Sequence, residues 1–445
     1  MSYMKRDLTR ELLQWKDQKE RMPLLVRGAR QVGKSYIVEE FGKTNFENYV
    51  EINFEYQPEL KGCFSSLDPH EIINKIRLLT GASIVVGKTL LFFDEIQECP
   101  EAITSLRYFY EKLPNQHVIA AGSLLEFIFH NENFRMPVGR IQYLFLKPLS
   151  FGEYLSACGF EALREHLKTV SIETHIEEIL HQQLLKLLRE YLLLGGMPKV
   201  VRTFLQTKDV TEAQKIQASI LTTYQDDFGK YAGSLDVRYL QTLFTRTPRL
   251  VSQRFFYKDV DPELRARELK QALEKLQSAG IVHKSHAVSA SGIPLGAQIN
   301  KKEFKLFFLD VGLVNRSMGF GSQILMEKDV ILVNRGEIAE QFVAQELIAY
   351  FDPYSPPELY WWSREKPGSS AEIDFVIAHN ERIFPIEVKA GKAGKLRSLK
   401  IFLNEKGGEI GIRISQNPLT MEEHLFSLPL YLIEHLPRLL NSVIR

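Results

Sequence analysis

Residues 24–40 read LLVRGARQVGKSYIVEE, and this stretch decides the fold. Leu24, Leu25 and Val26 form an apolar, strand-like run that meets Gly28. Gly33, Lys34 and Ser35 follow, and then Ile37, Val38 and Phe41 recur at helical spacing. The pattern is G-x-x-x-x-G-K-S between a strand and a helix, the context in which the motif carries meaning. Its glycines let the backbone of Gly28, Ala29, Arg30, Gln31, Val32 and Gly33 fold closely around a phosphate chain with successive N–H groups inward. The helix that begins at Lys34, Ser35 and Tyr36 turns its positive end to the same anion. Lys34 is placed to reach the β- and γ-phosphates of ATP, and Ser35 Oγ to ligate Mg²⁺. The bland alternative is a strand-to-helix turn that binds nothing; all motif positions and both flanks argue against it.

Working outward, residues 89–95 read TLLFFDE. A buried-strand run ending in two carboxylates is the Walker B pattern. Asp94 then holds Mg²⁺, directly or through water, and Glu95 orients and deprotonates the attacking water. A third strand, 117–121, ends at Gly122 and Ser123. In a parallel sheet Ser123 lies at the ligand edge, where it contacts the γ-phosphate or the catalytic water; the alternative is a cap for a helix over 124–130. Arg140 precedes a strand over 141–146 and is a candidate finger on the γ-phosphate, in cis or from a neighbouring subunit; the alternative is a surface residue closing a loop.

The 445-residue chain is long enough for roughly three domains. With 44% apolar and 25% charged residues it reads as an ordinary globular protein with a sizeable core. A net charge of +1 excludes a globally polyanion-seeking protein but leaves room for a local basic groove. Three scattered cysteines give neither a disulfide framework nor a zinc site, which fits a reducing compartment. The first residues are charged rather than signal-like, and no apolar run reaches the ~20 residues a membrane span needs. The expectation is a cytoplasmic protein that does not enter a membrane.

The segments GARQVGKS, LLFFDEIQ, AAGSLL and GRIQYLFLKPLSFGEYL, in this order, resemble a large group of bacterial and archaeal AAA+-related P-loop ATPases. The resemblance covers essentially the whole chain. It implies an ATPase module followed by a small helical or winged-helix region and a C-terminal domain of unknown function. AAA+ relatives often form rings, so a homo-oligomer is implied as well. Ser35 stands where these ATPases often carry threonine, and a serine hydroxyl serves the same ligand role.

The middle of the chain predicts helices. A leucine-rich one over 176–194 stops at Gly195 and Gly196, and further helix runs over 203–231. An amphipathic helix over 267–279, a strand from 281, a loop over 289–296 and a strand over 304–309 follow the winged-helix order. Lys270, Lys275, Lys284, Lys301 and Lys302 make a DNA-reading element conceivable, against a wing that merely packs on the ATPase module.

The last third carries a second constellation. A helix over 334–350 bears Glu340, a strand over 372–378 bears Asp374, and a strand over 383–389 bears Glu387 and Lys389 on one face. A hairpin bringing Asp374 beside Glu387 would gather two carboxylates and a lysine, chemistry suited to Mg²⁺ and an activated water. Asp374 followed by Glu387-Val388-Lys389, after the Glu340 helix, resembles the PD-(D/E)xK nuclease superfamily. That resemblance implies Glu340, Asp374, Glu387 and Lys389 as the nuclease site, although Ile373 stands where the family writes proline. Lys392, Lys395, Arg397 and Lys400 add a basic stretch suited to phosphates. The alternative is a half-buried hairpin with Glu–Lys pairing.

Together these readings predict an α/β protein in three parts. These are an AAA+-like P-loop ATPase domain with a parallel sheet over 1–150, a helical and winged-helix-like region over 151–320, and a restriction-endonuclease-like α/β domain over 321–445. The expected activity is Mg²⁺-dependent ATP hydrolysis coupled to a nuclease-like domain acting on DNA. The alternative is a nucleotide-controlled switch or scaffold whose last domain binds nucleic acid or protein without cutting.

Overall fold

Alternation of apolar residues on both faces of the first strands dictates a sheet buried on both sides. β1 (Leu24–Arg27) sends Leu24 and Val26 into one core and Leu25 into the other. β3 (Thr89–Asp94) does the same with Leu90 and Phe92 against Leu91 and Phe93. With β2 (Asn48–Asn53), β4 (His117–Ala121) and β5 (Gln142–Phe145) they form a five-stranded sheet in the order β2-β3-β4-β1-β5. Every pair is parallel. The helices α1 (Thr9–Lys16), α2 (Lys34–Asn45), α3 (Pro69–Thr80) and α4 (Pro100–Lys112) accompany it. This is the mixed α/β, P-loop NTPase arrangement expected from residues 24–40. The computed structural model describes residues 4–123, 125, 139–174, 176–233, 235–319, 336–364, 371–389 and 396–444. Most of the helix expected over 124–130, and Lys392 and Lys395 of the basic stretch, lie outside the described residues.

The helix Glu178–Leu194 ends at Gly195, with φ +74°. A Cβ there would lie 2.0 Å from Asp310 Oδ1, so the stop also makes room for a buried carboxylate. Asp310 accepts the Gly196 N–H at 2.6 Å and caps the helix Val311–Ser317 through the Leu313 N–H at 3.0 Å. Helical segments Pro198–Thr207, Val210–Asp226 and Phe228–Ala232 replace the single run expected over 203–231. Lys208, at φ +55°, and the capping carboxylate of Asp209 break it.

The helix Ala266–Ser278 leads into the antiparallel pair β6 (Val282–Val288) and β7 (Ile299–Phe308), in the helix–strand–loop–strand order read from sequence. β8 (Leu359–Ser363) then pairs in parallel with β6, and β9 (Glu372–Ile373) antiparallel with β8. The second sheet, β7-β6-β8-β9, therefore runs across the boundary expected near 320. A third sheet, in the order β10-β11-β12-β14-β13, holds β10 (Phe375–His379), β11 (Arg382–Val388), β12 (Gly411–Ser415), β13 (Thr420–Glu422) and β14 (Leu425–Pro429). The helix Gly336–Ala349 packs beside it. One buried cluster continues from Leu24 and Val26 through the helices to Leu439 and Leu440.

Candidate nucleotide site and carboxylate cluster

The P-loop leaves β1 at Gly28, where φ is +147° and a Cβ would lie 2.2 Å from the Leu146 carbonyl oxygen. Only glycine fits between that backbone and the turn. Gly33, at φ +96°, starts α2. Lys34 is 8% exposed, and its ammonium donates to the Gly28 and Ala29 carbonyls at 3.0 and 2.9 Å. Burial pulls its pKa from 10.5 to about 8, against the raising pull of Glu95 and Asp94 and with a further lowering by Arg30.

The sheet order sets the rest. β4 separates β1 from β3, so the carboxyl ends of all three converge. Ser35 Oγ donates to Asp94 Oδ2 at 2.8 Å, which joins the phosphate loop to the Walker B strand. Burial raises the Asp94 pKa to about 6, partly offset by the Ser35 bond. Asn53, at the end of β2 and in register with Asp94, donates Nδ2 to the same oxygen at 3.3 Å. Glu95 sits at φ +48°, its N–H on Asp94 Oδ1, and its carboxylate accepts Gln97 Nε2 at 2.6 Å. Ser123 lies at the end of β4, 8% exposed, and its Oγ has no hydrogen-bond partner among the described residues. Hydroxyl and carboxylate oxygens on facing elements are hard donors suited to Mg²⁺, so Ser35 and Asp94 fit that ion.

Two expected residues lie elsewhere. Arg140 precedes β5, whose Gln142 pairs with Leu24 at the amino end of β1, the sheet edge opposite the P-loop. Its guanidinium, exposed, pairs with Glu111 at 3.1 Å and faces the Tyr110 ring. The structure thus corrects a cis finger: parallel β1 and β5 carry Arg140 to the wrong end. Arg30 turns out of the loop to pair with Asp227, while Tyr224 Oη donates to the Arg30 carbonyl at 2.6 Å. Sequence reading missed this brace, and also Arg6, which donates to the Val32 carbonyl at 3.0 Å and to Glu153 at 2.9 Å. Beside Gly33 and Tyr36 a cleft of about 510 Å³ opens, lined also by Met4, Arg6, Leu149 and Pro198.

In the last third, the β10–β11 register, continued one step, sets Asp374 opposite Glu387. Asp374 Oδ2 accepts the Val388 N–H at 2.7 Å, and Lys389 Nζ meets Glu387 Oε1 at 2.5 Å. Glu340 joins them through a residue the sequence did not single out. Lys305, on β7 and 1% exposed, places Nζ 2.6 Å from Glu372, 3.5 Å from Glu340 and 4.0 Å from Asp374. Burial lowers the Lys305 pKa, but the three carboxylates outweigh it and hold the ammonium charged. Burial, with Asp374 beside it, raises the Glu340 pKa. An internal ammonium therefore stands among the carboxylates expected to hold a metal. No group of three or more His, Cys, Asp and Glu among the described residues is set to bind one. Lys305 thus brings a protein ammonium to Glu340 and Asp374, two of the residues expected at the nuclease site.

Comparison with known proteins agrees with the amino-terminal architecture. Residues 20–155 match an AAA domain family. Residues 185–323 and 335–433 each match a domain of unknown function, DUF8612 and DUF4143. No curated protein matches the chain. Among solved structures, a Walker-type ATPase of Pyrococcus abyssi is 17% identical, with 71% of this chain and 96% of that one covered at a TM-score of 0.45. Cdc6p from Pyrobaculum aerophilum is 10% identical, with 74% and 97% covered at a TM-score of 0.25. The AAA match and the parallel sheet together give residues 20–155 an AAA-type P-loop ATPase fold. No helix among the described residues is long and apolar enough to cross a membrane.

Proposed function

We propose that the protein is a Mg²⁺-dependent ATPase of the cytoplasm whose nucleotide state governs a DNA-engaging, nuclease-like C-terminal region. The observation that carries the first half is the 2.8 Å bond between Ser35 and Asp94, with Lys34 folded over the loop beside it. The triphosphate lies along the loop backbone, where inward N–H groups and Lys34 offset its charge. The adenine enters the cleft beside Tyr36 and Pro198. Mg²⁺ held by Ser35 and Asp94 supplies further neutralisation of phosphate charge. Glu95, positioned by Gln97, takes the proton of the attacking water, and Ser123 donates its free hydroxyl to that water or to the γ-phosphate. Arg140 can act only across to another copy, in an ATP-dependent homo-oligomer. Calorimetry with ATP and Mg²⁺ tests binding, phosphate release tests turnover, and mass measurement with and without ATP tests assembly. Absence of binding heat overturns the reading.

For the C-terminal region, Lys305 favours the non-cleaving reading over active cutting by Glu340, Asp374, Glu387 and Lys389. Plasmid DNA with Mg²⁺ or Mn²⁺ decides between them. Salt-sensitive binding without nicks supports the switch; nicking lost in Asp374→Ala supports the nuclease.

A further inference from the structure

β3 hands over to a short 3₁₀ turn, Ile96–Glu98, with Gln97 at its centre. Gln97 Nε2 donates to Glu95 Oε2 at 2.6 Å. A carboxylate only accepts hydrogen bonds, so the amide has one productive orientation: nitrogen towards Glu95, oxygen away from it. That oxygen, Oε1, is buried and has no hydrogen-bond partner among the described residues. A buried acceptor left unpaired costs stability, so something holds it there.

What receives it is the end of β4. A Cβ on Gly122 would lie 2.3 Å from Gln97 Oε1 and 3.0 Å from Leu125 Cγ. Gly122 is not among the glycines with positive φ, so its backbone makes no demand for glycine. What the missing side chain leaves is room for the amide. The next residue, Ser123, carries the other orphan of this site, a buried hydroxyl with no partner among the described residues. Gly122 thus has one unpaired polar atom against it in space and another beside it in the chain. A single water satisfies such a pair when each offers it a hydrogen bond.

We propose that Gln97 is a positioning residue for hydrolysis and that Gly122 is glycine in order to seat it. The amide spans two strand ends. Its nitrogen fixes the Glu95 carboxylate, and its oxygen accepts from the water that Ser123 and Glu95 share. The inference rests on the ATPase reading and adds to it how the base is aligned. Any side chain at position 122 drives the amide off Glu95. The displaced group is the far end of a flexible side chain, so the fold survives while the alignment does not.

The test measures phosphate release with ATP and Mg²⁺, and ATP affinity by calorimetry, on the full chain. The variants are Gln97→Ala, Gln97→Met, Gly122→Ala and Gln97→Ala/Gly122→Ala. Each single variant should lose about 10- to 100-fold in kcat, with the ATP dissociation constant within about threefold of the unaltered chain. Gln97→Met fills the same space without a donor, so it falls with Gln97→Ala; a packing role alone would spare it. In the double variant Gly122→Ala should add nothing to Gln97→Ala, because the atom it displaces is already gone. Unaltered turnover in Gln97→Met or Gly122→Ala overturns the proposal. So does a double variant whose loss is the product of the two single losses, or an ATP affinity that falls with turnover. A chain that binds no ATP or releases no phosphate before any substitution overturns the ATPase reading and this proposal together.

Discussion

Lys34 gives ATP binding a pH dependence that can be worked out in advance. Its ammonium is held at about 8 because burial costs more than Asp94 and Glu95 return. A triphosphate brings several negative charges to that ammonium, so the bound form has its proton retained and the pKa rises on binding. Above about pH 8 the free protein must therefore take up a proton as ATP binds. The protonated share falls to about one tenth near pH 9, so the dissociation constant rises about tenfold from pH 7 to 9, or ~1.4 kcal/mol. Calorimetry in buffers of different ionisation enthalpy counts the proton directly: about none near pH 7 and close to one near pH 9. Lys34→Met should bind more weakly and show no such slope. An affinity flat from pH 7 to 9 in the unaltered chain, with no proton uptake, would refute the assignment of Lys34 as the buried phosphate cation. The same shift has a stability sign. Between about pH 8 and 10.5 the unfolded lysine still holds a proton that the folded one has lost, so the nucleotide-free chain gains stability as pH rises through that window.

Glu95→Gln should keep ATP affinity within a few-fold while turnover falls by about 10²–10⁴, because only proton abstraction is lost; a phosphate-release assay beside calorimetry separates the two. Gly28→Ala should abolish ATP binding, since its Cβ meets the Leu146 carbonyl at 2.2 Å; retained binding heat would contradict the backbone geometry. Asp227→Ala removes the carboxylate that holds Arg30 and should cost about 1–3 kcal/mol in denaturant unfolding, with Arg30 left partly buried. Lys305→Met leaves Glu340, Glu372 and Asp374 without their ammonium and should cost about 3–5 kcal/mol near neutral pH. That loss should shrink towards acid pH, where the carboxylates take protons, and an equal loss at both pH values would contradict the cluster's electrostatics.

The parallel first sheet was legible because its code is local. Residues 24–40 and 89–95 state strand, turn, helix and charge in consecutive positions, and buried alternation does the rest. Ser35 and Asp94 meet because both motifs end strands at the same sheet edge. Arg140 could not be placed this way. Its role depended on strand direction, and a parallel β5 starts where β1 starts. Asn53 was visible in principle as a polar residue ending a strand next to Walker B. Arg6, Asp227 and Lys305 were not, since each acts on a partner distant in the chain and none sits in a motif. The split of β9 from β10 at Asp374 also escaped a pattern that reads as one alternating strand.

The parallel pairing of β6 with β8 has a practical corollary for anyone wishing to dissect the polypeptide. Severing it near position 320 would leave two fragments, each with a raw strand margin: Ser285–Ala287 on one and Leu359–Trp361 on the other. Unsatisfied peptide groups along such margins invite adhesion between molecules. The halves are better studied by point substitution in the intact polypeptide, where those shared rungs stay paired.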